Sequence, residues 1–159
     1  MHAWRITTAP FATDLSGQGA ALFGGRWNHT EHKALYFGMT AAICALEAVI
    51  HCTEVPRIAL KLVRVKLPDE PQLYCEPDLQ ELGEAWASNP ADIQSMDFGT
   101  AWLRRGQQLG LIVPSSALPQ ARNIMLNPLH PAAQRIEVIE VTDFALNQRL
   151  ISTTTLPLT

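Results

Sequence analysis

The chain is short of several things that would settle its class at once. It has three cysteines, Cys44, Cys52 and Cys75, an odd number without C-x-x-C spacing. That supports neither a disulfide framework nor a zinc site. No uninterrupted apolar run approaches the roughly 18 residues of a membrane span. Met1 runs straight into Ala3-Trp4-Arg5-Ile6 without an apolar leader, so a soluble protein of a reducing cytosol is expected. Excess positive charge is missing too: the formal net charge is −3 and there is no basic helix. Direct binding to nucleic acid or an anionic membrane is therefore not expected. Repeats, low-complexity tracts and Gly/Ser/Pro linkers are absent, which argues for one domain over 1–159. No G-x-S-x-G elbow accompanies the serines, so a serine nucleophile has no support.

What is present is a chain 47% hydrophobic and 17% charged, enough apolar material for one buried core. Ala3 to Ile6 reads as a short strand, followed by a long polar, Gly-rich loop from Thr7 to Lys33. Loops of that length in a small domain are more often functional than decorative. Leu35 to Gly38 is a second strand, after which Thr40 is placed to cap a helix over Ala41 to His51. Arg57 to Leu67 reads as a strand whose apolar phase slips at Val63, as a β-bulge would cause. Asp78 to Trp86 and Gly99 to Leu109 look helical. Leu111 to Val113 and Arg135 to Val141 read as strands, and Arg122 to Pro131 as a structural corner. Helices do not alternate regularly with strands, so the class is α+β rather than doubly wound.

Gly24-Gly25-Arg26-Trp27-Asn28 is the most informative stretch. Two glycines allow positive φ or a close approach to a ligand. A fixed cation, a stacking plane and an amide follow, a set that suits a planar, phosphate-bearing molecule. Arg26 can grip a phosphate bidentately, and Arg5 is a candidate for a second grip. Tyr36 is either a core aromatic or a stacking plane for a ring. Glu47 stands out because its helix is apolar nearly all round, and a carboxylate there must be paired, hydrogen-bonded or open to a cleft. Pairing with His51, one turn on, is the plainer alternative. Ser115 and Ser116 follow a buried strand, where serines are usually turn residues. His29, His32 and His130 have no spacing that marks a catalytic base, and no metal site is expected.

In their order along the chain, these elements resemble the RES-domain family. The matching elements are Trp4-Arg5-Ile6, Leu15-Ser16-Gly17-x-Gly19-Ala20, Gly24-Gly25-Arg26-Trp27-Asn28, Tyr36, Leu46-Glu47, Val113-Pro114-Ser115 and Asn127-Pro128-x-His130-Pro131. The likeness extends from Trp4 to about Leu150. It implies that Arg26, Glu47 and Ser115 are the arginine, glutamate and serine for which the family is named. It also implies an ADP-ribosyltransferase-like fold, a split mixed β-sheet core with flanking helices that clasps NAD+. The implied activity is that of a bacterial, cytoplasmic toxin that breaks the nicotinamide–ribose bond of NAD+ by hydrolysis or phosphorolysis. The alternatives are ADP-ribosyl transfer to a protein and a catalytically silent NAD-binding module.

The implied partner is an antitoxin of the Xre type with a helix-turn-helix domain, and any operator binding would belong to it. On this reading Glu47 stabilises the reacting sugar and Tyr36 stacks on nicotinamide. Arg26 and Arg5 hold the pyrophosphate, Ser115 bonds a ribose or phosphate oxygen, and Trp27 and Asn28 line the pocket. NAD+ is substrate, and no metal is required.

Overall fold

Seven strands form one mixed sheet: β1 (His2–Thr8), β2 (Leu35–Gly38), β3 (Leu60–Lys66), β4 (Tyr74–Cys75), β5 (Gly110–Pro114), β6 (Arg122–Leu126) and β7 (Glu137–Phe144). Among the described residues the sheet is accompanied by α1 (Gln18–Phe23), α2 (Ala41–His51) and α3 (Ile93–Arg105). The computed structural model describes residues 1–52, 56–147 and 149. The ends of the expected domain at 159 and of the family likeness near 150 lie outside these residues.

The strand order is β4-β5-β6-β2-β1-β3-β7, antiparallel except for the β4–β5 pair. The sheet is nearly two sheets. β1 and β2 share a single register pair, Trp4 with Gly38, whereas β1 pairs with β3 along its whole length. On one face, Leu35, Phe37, Ile124 and Leu126 pack with Ala3, Val63, Val65 and Leu67. On the other, Ala34, Met125, Leu111 and Val113 lie under Trp27 and the α3 residues Trp102 and Leu103. The α+β class and the split sheet match what the sequence implied.

Local chemistry sets the element ends. The Thr40 hydroxyl accepts from the Ile43 N–H at 3.2 Å, and α2 keeps its expected limits. In contrast, Asp78 to Trp86 is not a helix. A capping box between Asp78 and Glu81 starts one 3-10 turn, Leu79–Leu82, and Gly83 at φ +82° ends it. The helix expected from Gly99 to Leu109 instead begins at Ile93, with the Asp92 carboxylate bonding the Gln94 N–H, and stops at left-handed Gly106. The long loop contains α1, and the supposed corner from Arg122 begins as β6.

The irregularity near Val63 exists, but β3 does not bulge. Arg64 pairs with Glu140 and Val65 with Val138, so the extra residue is Ile139 on β7. Leu60 and Leu62 simply lie on the face opposite Val63 and Val65.

Candidate active site

α2 lies against β1 and β2 where the two halves of the sheet meet. Cys44, Glu47, Ala48 and His51 share one strip of the helix and line a cavity of 1090 Å³. That volume suits a dinucleotide-sized ligand, since small-molecule sites typically span about 300–1,000 Å³. Arg5, Arg26, Tyr36 and Asn123 are among the other polar residues of the lining, and Glu47 is its one carboxylate among the described residues.

Glu47 is held through one oxygen. Its Oε1 accepts from Ser115 Oγ at 2.6 Å and from Asn123 Nδ2 at 2.9 Å. Its Oε2 has the exposed His51 Nε2 at 3.4 Å, one helical turn on. The Glu47 side chain is 23% exposed, and its carboxylate is held in place by these hydrogen bonds. The sequence reading took Glu47–His51 pairing as an alternative to a site. Both are present, and the stronger contacts come from the sheet.

Ser115 has a different place from the one foreseen. It is fully buried and does not line the cavity; Ser116 does. Its hydroxyl donates to Glu47 and accepts the Ala117 and Leu118 N–H groups at 3.1 and 3.3 Å. A hydroxyl so engaged orients the carboxylate rather than a ribose.

The glycine turn is a tight loop. Gly24 takes φ +71°, and Gly25 and Asn28 form an isolated bridge with Arg26 and Trp27 at its tip. A Cβ on Gly25 would stand 2.7 Å from the Tyr36 hydroxyl, so this close approach requires glycine. Tyr36 donates to Asn28 Oδ1 at 2.6 Å and accepts the Trp27 N–H at 3.1 Å. Burial, more than any other influence, pushes its phenol far above the ordinary value. Its role is therefore that of a neutral ring facing the cavity, not of an acid or base.

Asn28, also fully buried, donates to the carbonyls of Ala20, His29 and His32. Its amide is spent on the loop. The Trp27 ring is 2% exposed and packs edge-on against Phe98, so it is a core anchor and not an open stacking plane. These two residues shape the pocket by fixing the loop that carries Arg26.

The two arginines line the same cavity, Arg5 from β1 and Arg26 from the glycine loop before β2. Arg26 Nη1 donates to the Trp86 and Ser88 carbonyls at 2.9 and 2.7 Å, its only hydrogen bonds among the described residues. The rest of its fork has no hydrogen-bond partner among the described residues, and a guanidinium fork of this kind can bond an anion. Arg5 lies 5.3 Å over the Phe37 ring, and its Nη2 donates to the carbonyls of Phe11, Ala12 and Asp14. Its Nε is buried without a partner. Burial lowers the Arg5 pKa and the nearby Asp14 opposes that shift.

Asn123, at the start of β6, was missed by sequence reasoning. It belongs to no motif, and only its contact with Glu47 reveals it. The described residues hold no cluster of three or more His, Cys, Asp or Glu able to bind a metal. None of their helices is long and apolar enough to cross a membrane.

A split α+β sheet thus sets one anchored carboxylate and two arginines around a dinucleotide-sized cavity. The RES domain model matches residues 2–147, and the chain belongs to that family. A protein named Toxin Res from Yersinia enterocolitica is 33% identical over 94% of this chain and 99% of its own. The Prs ADP-ribosylating toxin of a Sphingobium species is 34% identical over 93% and 95%. The toxin–antitoxin complex MbcT–MbcA of M. tuberculosis contains a chain of like fold, with TM-score 0.75 and 20% identity. The match covers 94% of this chain and 88% of that one. The present chain is thus a RES-domain protein of the toxin type.

Proposed function

We propose that this chain cleaves the nicotinamide–ribose bond of NAD+ and acts as the toxin of a toxin–antitoxin pair, held in check by an antitoxin of the Xre type. The observation that carries the reading is the single anchored carboxylate, Glu47, in a cavity whose lining also includes Arg5, Arg26 and Tyr36. Breaking the glycosidic bond leaves positive charge on the sugar, as in glycoside hydrolysis. A fixed carboxylate stabilises that charge without having to reorganise. Arg26 and Arg5 hold the pyrophosphate, so binding energy remote from the reacting bond orients it. Tyr36 offers its ring to nicotinamide, and Ser115 keeps Glu47 aimed. The acceptor, water or phosphate, then attacks the anomeric carbon as neutral nicotinamide departs.

ADP-ribosyl transfer to a protein is the second reading, favoured by the Sphingobium relative's name. It shares the bond-breaking step and differs in the acceptor.

The test is NAD+ consumption by the purified chain, with products separated by chromatography with and without phosphate and with cell extract. We expect release of free nicotinamide, and at least about a 10³-fold loss of rate in Glu47→Gln with an unchanged thermal melt. Full activity in that variant would sink the mechanism. An ADP-ribose adduct on an extract protein would instead select the transferase.

A further inference from the structure

Asn123 lies in the cavity wall with its backbone fixed on both sides, paired with Gly38 on β2 and Val113 on β5. A primary amide has a donor end and an acceptor end. Committing Nδ2 to Glu47 Oε1 fixes where the carbonyl end lies. Among the described residues Oδ1 meets no donor, and it is not one of the buried polar atoms left without a partner. It therefore keeps some solvent exposure, on a residue that lines the cavity. Glu47 divides its oxygens the same way: Oε1 takes Ser115 and Asn123, and Oε2 is left toward exposed His51. Two acceptors thus remain on two side chains that are hydrogen-bonded to each other.

Two neighbouring acceptors match two neighbouring hydroxyls. The geometry points to Asn123 as a substrate-contacting specificity residue that, together with Glu47, clamps the vicinal diol of the substrate's ribose. The substrate class is a riboside with both hydroxyls free. The inference rests on the NAD+ reading and names the part of that molecule the pocket measures. A site built to bond a hydroxyl rejects the analogue that lacks it, because its own polar group is then left unpaired.

The experiment compares kcat/KM of the wild type, Asn123→Ala and Asn123→Asp. The substrates are NAD+ and its analogues lacking the 2′- or 3′-hydroxyl of the nicotinamide ribose. The intrinsic reactivity of each analogue is common to all the enzymes and cancels in the ratio. On one analogue the fall in kcat/KM of the wild type should exceed that of Asn123→Ala, itself slower on NAD+, by about 10-fold or more.

Asn123→Asp keeps an oxygen toward the diol but turns a second carboxylate toward Glu47. The two then share one proton, so activity relative to wild type should fall as pH rises between about 5 and 8. Of the titratable groups, Glu47 touches this position, its partner His51 lies one turn on, and Cys44, Cys52 and Tyr36 also line the cavity. Gly38 and Val113 carry none, and Arg5, Arg26 and His29 are further charged or titratable groups of the cavity. Should Asn123→Ala fail to fold, the near-isosteric Asn123→Asp carries the test through its pH profile.

Equal losses by wild type and Asn123→Ala on both analogues would overturn the clamp alone. A pH profile of Asn123→Asp parallel to wild type would overturn the hold on Glu47. A wild type inert toward NAD+, with and without extract, would remove the NAD+ reading and the clamp with it.

Discussion

The two halves of the sheet are built to different standards. β5, β6 and β2 are covered on both faces, and Leu111, Ile124, Met125 and Leu126 are fully buried. β7, at the far edge of the other half, is exposed along most of its length, with Ile139 and Val141 about 40% open. The dense half supplies Tyr36, Asn123 and the segment bearing Ser115, the groups that orient and recognise. The thinner half supplies Arg5. Orientation within a few tenths of an ångström needs packed surroundings, whereas a long cation reaching for an anion tolerates slack.

The largest effect should come from breaking the dense half. Ile124→Ala removes a fully buried side chain between Phe37 and Ile112 and is expected to cost about 4 kcal/mol. Ile139→Ala on β7 should cost less than about 1 kcal/mol, because that residue is half-exposed and has no partner across the bulge. Urea unfolding of both variants checks the contrast. Similar costs would mean that the two halves are equally packed.

A smaller effect, aimed at the loop the dense half supports, follows from Gly99 on α3. An added Cβ there would stand 1.9 Å from the Trp27 carbonyl oxygen, a backbone atom that cannot swing aside. Gly99→Ala should cost about 2 kcal/mol through overpacking, and the displaced loop should weaken capture of NAD+. The expected kinetic signature is a raised KM with a lesser change in kcat. A variant with wild-type KM would separate α3 packing from the position of Arg26.

The legible parts of this chain are those where one local signal decides. Thr40, the apolar run and His51 define α2 to the residue, and Leu35 to Gly38 stands as read. β6 was hidden because Ile124-Met125-Leu126 is buried on both faces and shows no alternation. α1 has no capping side chain to announce it. Asp78 to Trp86 carries helical composition, yet Gly83 stops it after one turn. In the site, the spacing around Arg26, Glu47 and Ser115 was readable, but the direction in which each side chain works was not. Ser115 acts on Glu47 and Trp27 packs on Phe98, both partners from distant segments, whereas the Asn28 amide is spent on carbonyls of its own loop.

The seam between the halves offers the mildest test. Cys44 Sγ donates to the Trp4 carbonyl at 3.4 Å, beside the one pair that joins β1 to β2. Burial, aided by the Glu47 charge, pushes this thiol up to about 11 against backbone hydrogen bonds that lower it. Folding therefore favours the protonated thiol. Its stabilisation is complete below the ordinary value near 9 and is lost as pH rises through about 11. Thermal stability should accordingly decline across that alkaline window. At about pH 8, iodoacetamide should label Cys44 roughly a hundredfold more slowly than a free thiol, read by peptide mass spectrometry. Labelling at the free-thiol rate would mean that the seam opens readily and that the thin half moves relative to the dense one. Slow labelling would make the seam a closed hinge, leaving Arg5 and Glu47 in one fixed frame.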